Sequence, residues 1–276
     1  MYTATIAGNV VIIALVSTSH QLHSTMYTFL CHLSIADILI STNIAPNMLQ
    51  VILLGRSSIS ARYCITQSYF FGASAIIESC LLTVMSYDRY LAICKPLHYT
   101  SIMSHKLPHY LVTCCWMSGF VLSGLTHILI AEFDFCGPNA IDHFFCDLAP
   151  LLELSCSDTS IVQIQVSIAV IIMGLFQLVF IIVTYICIFI SILQISSVTG
   201  RKKTFSTCSA HLAVVCTYYG TMIILYMSPA RGYSLNFNKA LSFINSVVTP
   251  FFNPFIYTLR NKDIRFAIRK TIFSNS

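Results

Sequence analysis

Asp37 and Glu78 are carboxylates set inside long apolar runs, and the triplet Asp88-Arg89-Tyr90 closes one of those runs against a polar, proline-marked stretch ending at Tyr99. An ionisable side chain facing lipid is costly, so each of these groups must turn to a protein interior, pair, or meet a partner. Asp37 and Glu78, with Asn9, Ser74 and Asn253, supply hard oxygen donors suited to a small cation. The rival chemistry is plainer: one carboxyl holds its proton and both are hydrogen-bonded internally. An acid beside a guanidinium at the end of a span suits contact with another protein. A catalytic carboxylate pair is the weaker reading, since no other residues mark a hydrolytic site.

Four of the twelve cysteines, Cys64, Cys136, Cys146 and Cys156, lie outside the apolar runs. Four cysteines allow three pairings, and spacing does not choose among them. His143 and Cys146 form a His-x-x-Cys pair that lacks the further ligands of a zinc site. Asn253-Pro254 sits in an apolar run, where proline removes one helix hydrogen bond and bends the axis. That bend is either a static kink or a place where two packings compete. The stretch Arg201–Leu212 places three basic residues ahead of His211, as a helix anchor with an interior histidine or as a switch. No nucleophile elbow, phosphate-binding glycine loop or two-histidine zinc helix is present.

The elements that must hold these groups are membrane helices. Of 276 residues, 56% are hydrophobic and 9% charged, against about 25% charged in a soluble domain. Seven runs approach the roughly 20 apolar residues needed to cross a bilayer: Tyr2–Val16, Tyr27–Leu54, Tyr63–Ile93, Pro108–Ile130, Ser160–Leu193, Ser209–Met227 and Lys239–Leu259. Their continuity favours helices over barrel strands. The fold expected is an all-α, seven-helix membrane bundle over residues 1–276, one domain, with a short amphipathic helix at the C-terminus. There, Ile264, Ala267, Ile268 and Ile272 alternate with Arg265, Arg269 and Lys270 as on a helix lying against an anionic membrane face.

Arg89, Lys95, Lys106, Arg201, Lys202, Lys203, Arg260, Lys262, Arg265, Arg269 and Lys270 fall on one side of these spans. Only Arg56, Arg62, Arg231 and Lys239 fall on the other. Positive charge marks the cytoplasmic side, so the C-terminus is expected inside and the N-terminus outside. The net charge of +5 is this asymmetry, and it is no sign of nucleic acid. No cleavable signal peptide or glycosylation sequon is evident. The first span is short for a crossing, which leads to the expectation that the natural N-terminus and part of the first helix are missing.

Several long motifs, in order, resemble the odorant receptor family of rhodopsin-like G-protein-coupled receptors. Met85–Tyr99 is similar to the family's third-helix signature. Lys203–Leu212 with Tyr218-Tyr219-Gly220 resembles its sixth-helix signature, and Pro250–Tyr257 with Leu259-Arg260-Asn261 its seventh. Gly8-Asn9, His23–Tyr27 and Leu33–Asp37 resemble its first two helices and the loop between them.

The resemblance implies disulfides Cys64–Cys146 and Cys136–Cys156, an interior sodium site at Asp37 and Glu78 with Asn253, and no other cofactor. It assigns activation roles to Asp88, Arg89, Tyr90, Tyr185, His211, Asn253, Pro254 and Tyr257, with Arg89 engaging the G protein and Asp88 restraining it. It also implies a plasma-membrane receptor, not an enzyme, that takes a small odorant in the outer half of the bundle, activates a stimulatory heterotrimeric G protein and raises cAMP. By position, Ala73, Ala75, Ile76, Ala169, Met173, Tyr219, Met222, Ile223 and Tyr226 are candidates for the ligand, each with ordinary helix packing as its alternative. A non-functional truncated copy and, less favoured, a small-ion transporter or channel are the competing readings.

Overall fold

A computed structural model describes residues 1–19, 22–104, 106–136, 140–227 and 235–273. Twelve α-helices form among them, and no strands: α1 Tyr2–Thr18, α2 Thr25–Leu54, α3 Ala61–Cys94, α4 Pro96–Ile102, α5 Lys106–Ala131, α6 Leu148–Glu153, α7 Ser160–Ala169, α8 Leu175–Leu193, α9 Val198–Met227, α10 Leu235–Phe243, α11 Thr249–Arg260 and α12 Lys262–Phe273. A π-turn, Val170–Gly174, joins α7 to α8, and a second, Ile244–Val248, joins α10 to α11. The fifth and seventh spans are therefore each two α-helical halves around a wider turn.

Local chemistry sets several boundaries. Ser60 Oγ accepts the Tyr63 backbone N–H at 3.2 Å and starts α3, as an N-cap should. Gly55 ends α2 with φ 70°, a left-handed conformation that costs glycine little. Asn261 Oδ1 accepts the Asp263 N–H at 2.9 Å and starts α12 just where α11 stops. The Tyr27 hydroxyl reaches the same oxygen at 3.1 Å, so α2 fixes the corner between the two helices.

α3 is the central element, packed against α2, α5 and α8, while α11 joins α1, α2 and α9 on the opposite side. The core runs through Ile12, Phe29, Leu33, Ile77, Leu81, Met85, Val214 and Tyr257. Ile172, Phe176, Val179, Ile182, Ile186 and Ile190 of the fifth span are exposed and lie outside the cavity at the Cys64 end of the bundle. A large apolar face of that kind requires lipid around it. Five helices of the described residues, including the whole stretch Ser160–Leu193, are long and apolar enough to cross a membrane, and α1 is shorter.

Two boundaries differ from the sequence expectation. The sixth span begins at Val198 rather than Ser209, because Arg201 and Lys202 continue the helix beyond the apolar run. The seventh begins at Leu235 and passes through a π-turn. α12 is amphipathic as expected: Ile264 and Ala267 are buried, while Arg265, Phe266 and Arg269 are exposed. The side chain of Ile272 lies outside the described residues.

Candidate functional site

The bundle carries three polar or hollow regions stacked along α3. At the end bearing Cys64, a cavity of about 1090 Å³ opens between α3, α5, the fifth span, α9 and the seventh span. Ala75, Ile76, Ala169, Met173, Tyr219, Met222 and Ile223 all line it. Ala73 does not: it is buried on the α3 face that meets Gly119 of α5. The Tyr226 side chain lies outside the described residues. The π-turn in the fifth span contributes Val170, Ile171, Met173 and Gly174 to the wall. A wider turn re-aims side chains that an unbroken α-helix would send elsewhere.

Sequence reasoning left out the polar residues of this wall. Ser68, Ser123, Thr126, His127, Gln165, Gln177 and Asn245 all face the cavity. Their signal was present as single polar side chains within apolar spans, the same pattern that singled out Asp37 and Glu78. The His127 ring lies against Ser123 O (Nδ1, 2.8 Å) and Ser68 Oγ (Nε2, 3.0 Å). Tyr219 donates to Gln177 Oε1 at 3.0 Å, which ties α9 to α8.

A loop roofs the cavity. Disulfides join Cys64 to Cys146 and Cys136 to Cys156, so one of the three pairings is selected and Cys146 is removed from any metal reading with His143. Gln67 holds the loop from below: its Oε1 accepts the Cys146 N–H at 2.9 Å, and its Nε2 donates to Asn43 O at 2.8 Å. Asp142 forms an ion pair with Lys239 of α10, and Phe144 meets Phe243 edge-on at 6.0 Å. Burial and the neighbouring Lys239 push the His143 imidazole down to about 4. Asp147 caps α6 through the Leu148 N–H at 2.7 Å, and burial pushes its carboxyl up.

Midway along the bundle, Asp37 and Asn253 are buried together, with Asn253 Nδ2 donating to both carboxylate oxygens at 3.1 Å. Glu78 of α3 is buried as well, and its Oε1 has no hydrogen-bond partner among the described residues. The donors are hard oxygens, and one of them is unsatisfied. Such donors fit a small cation such as sodium, which Asp37 and Glu78 would hold. Asn9 takes a different part: its Nδ2 reaches Thr5 O and Pro250 O, the carbonyl left without a helical donor because Pro254 has no N–H.

At the far end of α3, Asp88 is fully buried and pairs with Arg89 through Nε at 3.0 Å and through Nη2. Its other oxygen accepts the Tyr99 hydroxyl of α4 at 2.7 Å. Tyr185 of α8 meets His211 Nδ1 of α9 at 2.6 Å with the rings stacked. Tyr90 packs beside them with Ile188, Ile192 and Cys208. Tyr257 of α11 is fully buried, and its hydroxyl has no hydrogen-bond partner among the described residues.

An apolar-walled cavity at one end of a helix bundle and a buried acid paired with a partly exposed guanidinium at the other suit a binding event read out across the membrane. The olfactory receptor family model matches residues 1–275. The chain belongs to the olfactory receptor family. Among its relatives, human olfactory receptor 6F1 is 46% identical over 98% of this chain and 88% of its own length. Mouse olfactory receptor 1M1 is 45% identical over 99% of this chain and 87% of its own. Human olfactory receptor 11L1 is 46% identical over 99% and 84%. This olfactory receptor family member is thus a multi-pass membrane protein of a receptor family, not an enzyme family.

Proposed function

We propose that this chain is an odorant-activated receptor of the plasma membrane that couples to a stimulatory heterotrimeric G protein and raises cAMP. The cavity beneath the disulfide-bound loop takes the ligand, and that end faces outward, with the N-terminus outside and the C-terminus in the cytoplasm. The observation that carries the reading is that one helix, α3, lines the cavity with Ala75 and Ile76 and ends in the Asp88–Arg89 pair. A ligand that binds one arrangement of the bundle better than another shifts the population between them. Moving from 1:99 to 99:1 needs about 5.5 kcal/mol of differential affinity. The apolar wall suits a small volatile molecule that gains affinity by leaving water.

Swinging α9 away from α8 would separate Tyr185 from His211 and open the inner face around Arg89 to the G protein. The hydrogen bond missing at Pro254 supplies a second mobile point, beside Tyr257. Sodium held by Asp37 and Glu78, with Asn253 alongside, would favour the closed packing by neutralising two buried acids.

The test is an odorant panel applied to cells displaying the chain, with cAMP as the readout. Responses are expected for some odorants and are expected to vanish in Arg89→Ala at matched surface display. Silence across a broad panel with verified display would sink the proposal.

A further inference from the structure

One corner of the cavity wall, around Ser68, Ser123, Thr126 and His127, has a hydrogen-bonding polarity. Six of the hydroxyls lining the cavity point their hydrogens at protein acceptors: Ser68 at His127, Ser79 at Ile76 O, Ser123 at Tyr69 O, Thr126 at Leu122 O, Tyr218 at Ala75 O, and Tyr219 at Gln177 Oε1. The assignment at His127 follows from its partners. Ser123 O is a carbonyl and only accepts, so Nδ1 carries the ring hydrogen. In the uncharged imidazole Nε2 is then bare and must accept from Ser68 Oγ. What Ser68 and Ser123 turn toward the cavity is therefore lone pairs.

One donor stands beside this corner. Gln165 Nε2 gives one hydrogen to Thr126 Oγ1 at 3.3 Å and keeps a second. A ligand group that donates to a serine oxygen and accepts from Gln165 satisfies both sides. A carbonyl or ether can use only the amide and leaves the serine lone pairs facing apolar atoms.

Resting on the receptor reading above, we propose that the corner formed by Ser68, Ser123, Thr126 and His127 selects hydroxyl-bearing odorants, alcohols and phenols, over ketones and ethers of the same skeleton. Ser68 and Ser123 are the specificity-determining residues, and His127 is a positioning residue that fixes which way the Ser68 hydrogen points. Asp147 also lines the cavity, and an amine would pair with its carboxylate instead. Amines therefore form the third arm of the test.

The experiment uses the full chain displayed on cells, with cAMP read against matched sets: cyclohexanol, cyclohexanone and cyclohexylamine, then menthol, menthone and menthylamine, then phenol with anisole. In the sets that respond, the hydroxyl member should act at about tenfold lower concentration than its carbonyl or ether partner, the ratio one satisfied buried hydrogen bond supplies. Ser68→Ala combined with Ser123→Ala should bring that ratio within about twofold at matched surface display. His127→Phe should lower the ratio as well, because a Ser68 hydroxyl freed from the ring can donate to a ketone. Equal or stronger responses to ketones, an unchanged ratio in the double variant, or a preference for the amines would each overturn the assignment and leave the receptor reading standing. Silence of every set and of the wider panel, with display verified, would overturn both.

Discussion

The Tyr185 hydroxyl meets His211 Nδ1 at 2.6 Å, with the two rings stacked 5.8 Å apart and 13° from parallel. This contact fastens α8 to α9 close to the Arg89 end. Tyr185→Phe keeps the stack and removes the hydrogen bond. The loss is about 1 kcal/mol, roughly a fivefold shift toward the separated arrangement. Ligand-independent cAMP should rise accordingly at matched display. A basal level at or below that of the parent chain would contradict this role.

Asp88 is shared between Arg89 and Tyr99. Asp88→Asn weakens both contacts and leaves a half-buried guanidinium without its counter-charge, a change that favours any arrangement in which Arg89 finds another partner. Basal signalling should increase, and adding Arg89→Ala should abolish the increase. Tyr99→Phe, which removes only the hydroxyl donor to Asp88 Oδ1, should have a smaller effect in the same direction.

Gly119 lies where α5 meets α3 most closely. A Cβ there would stand 2.5 Å from Ile77 Cγ1 and 2.7 Å from Ala73 O. The backbone oxygen cannot retreat without moving α3. Small residues at such crossings are what allow membrane helices to approach. Gly119→Ala should cost about 1–3 kcal/mol, read as a lower melting temperature of the purified receptor. Gly174→Ala, where nothing stands within 4 Å of the added carbon, should leave it nearly unchanged.

The seven spans were legible because a run as continuously apolar as Val166–Ile172 cannot be set against water. The disulfide partners were not legible from the residues alone and came only through the family resemblance. The start of α9 was missed because Arg201 and Lys202 look like a loop by hydropathy, although a helix can project past the bilayer with its basic residues in water. The polar wall was missed for a different reason. His127, Gln177 and Asn245 are single polar residues on three different spans, and only the packing brings them to one hollow. Neither π-turn has a local signal, since one extra residue per turn leaves composition untouched.

The two disulfides close loops of very different length, with sequence separations of 82 and 20. On a chain-entropy account the longer closure stabilises more, by about 1 kcal/mol here. The paired variant Cys64→Ser with Cys146→Ser should therefore lower the melting temperature more than Cys136→Ser with Cys156→Ser. It should also abolish the odorant response, since the roof of the cavity is tied down by that bond. Equal losses would argue that strain or residual structure outweighs loop length.

Acid should loosen the loop through His143. Its imidazole sits at about 4 in the folded chain against 6.5 when free, so between those values the unfolded loop binds a proton that the folded loop refuses. Stability is complete above pH 6.5 and falls as the pH drops toward 4, by on the order of 2–3 kcal/mol. Lys239 and Asp142 are the charged groups beside the ring. The Asp147 carboxyl, raised by burial, pulls the other way, so the comparison is with His143→Phe in the same buffer series. Hydrogen exchange of residues 141–147 should speed up on acidification in the parent chain and much less in the variant.

The π-turn at Val170–Gly174 divides the fifth span into two lengths of helix whose angular phases are set separately. Each residue added to or removed from an α-helix rotates everything beyond it by about 100°. Deleting one residue within that turn would let a single α-helix run through, and it would swing Gln165 and Ala169 around the axis while Tyr185 stayed facing His211. The joint is a mechanical decoupler. Mutation can rework the face that meets a ligand in one half of the span without disturbing the alignment of the half that transmits the signal, so new ligand preferences can arise on an unchanged output stage.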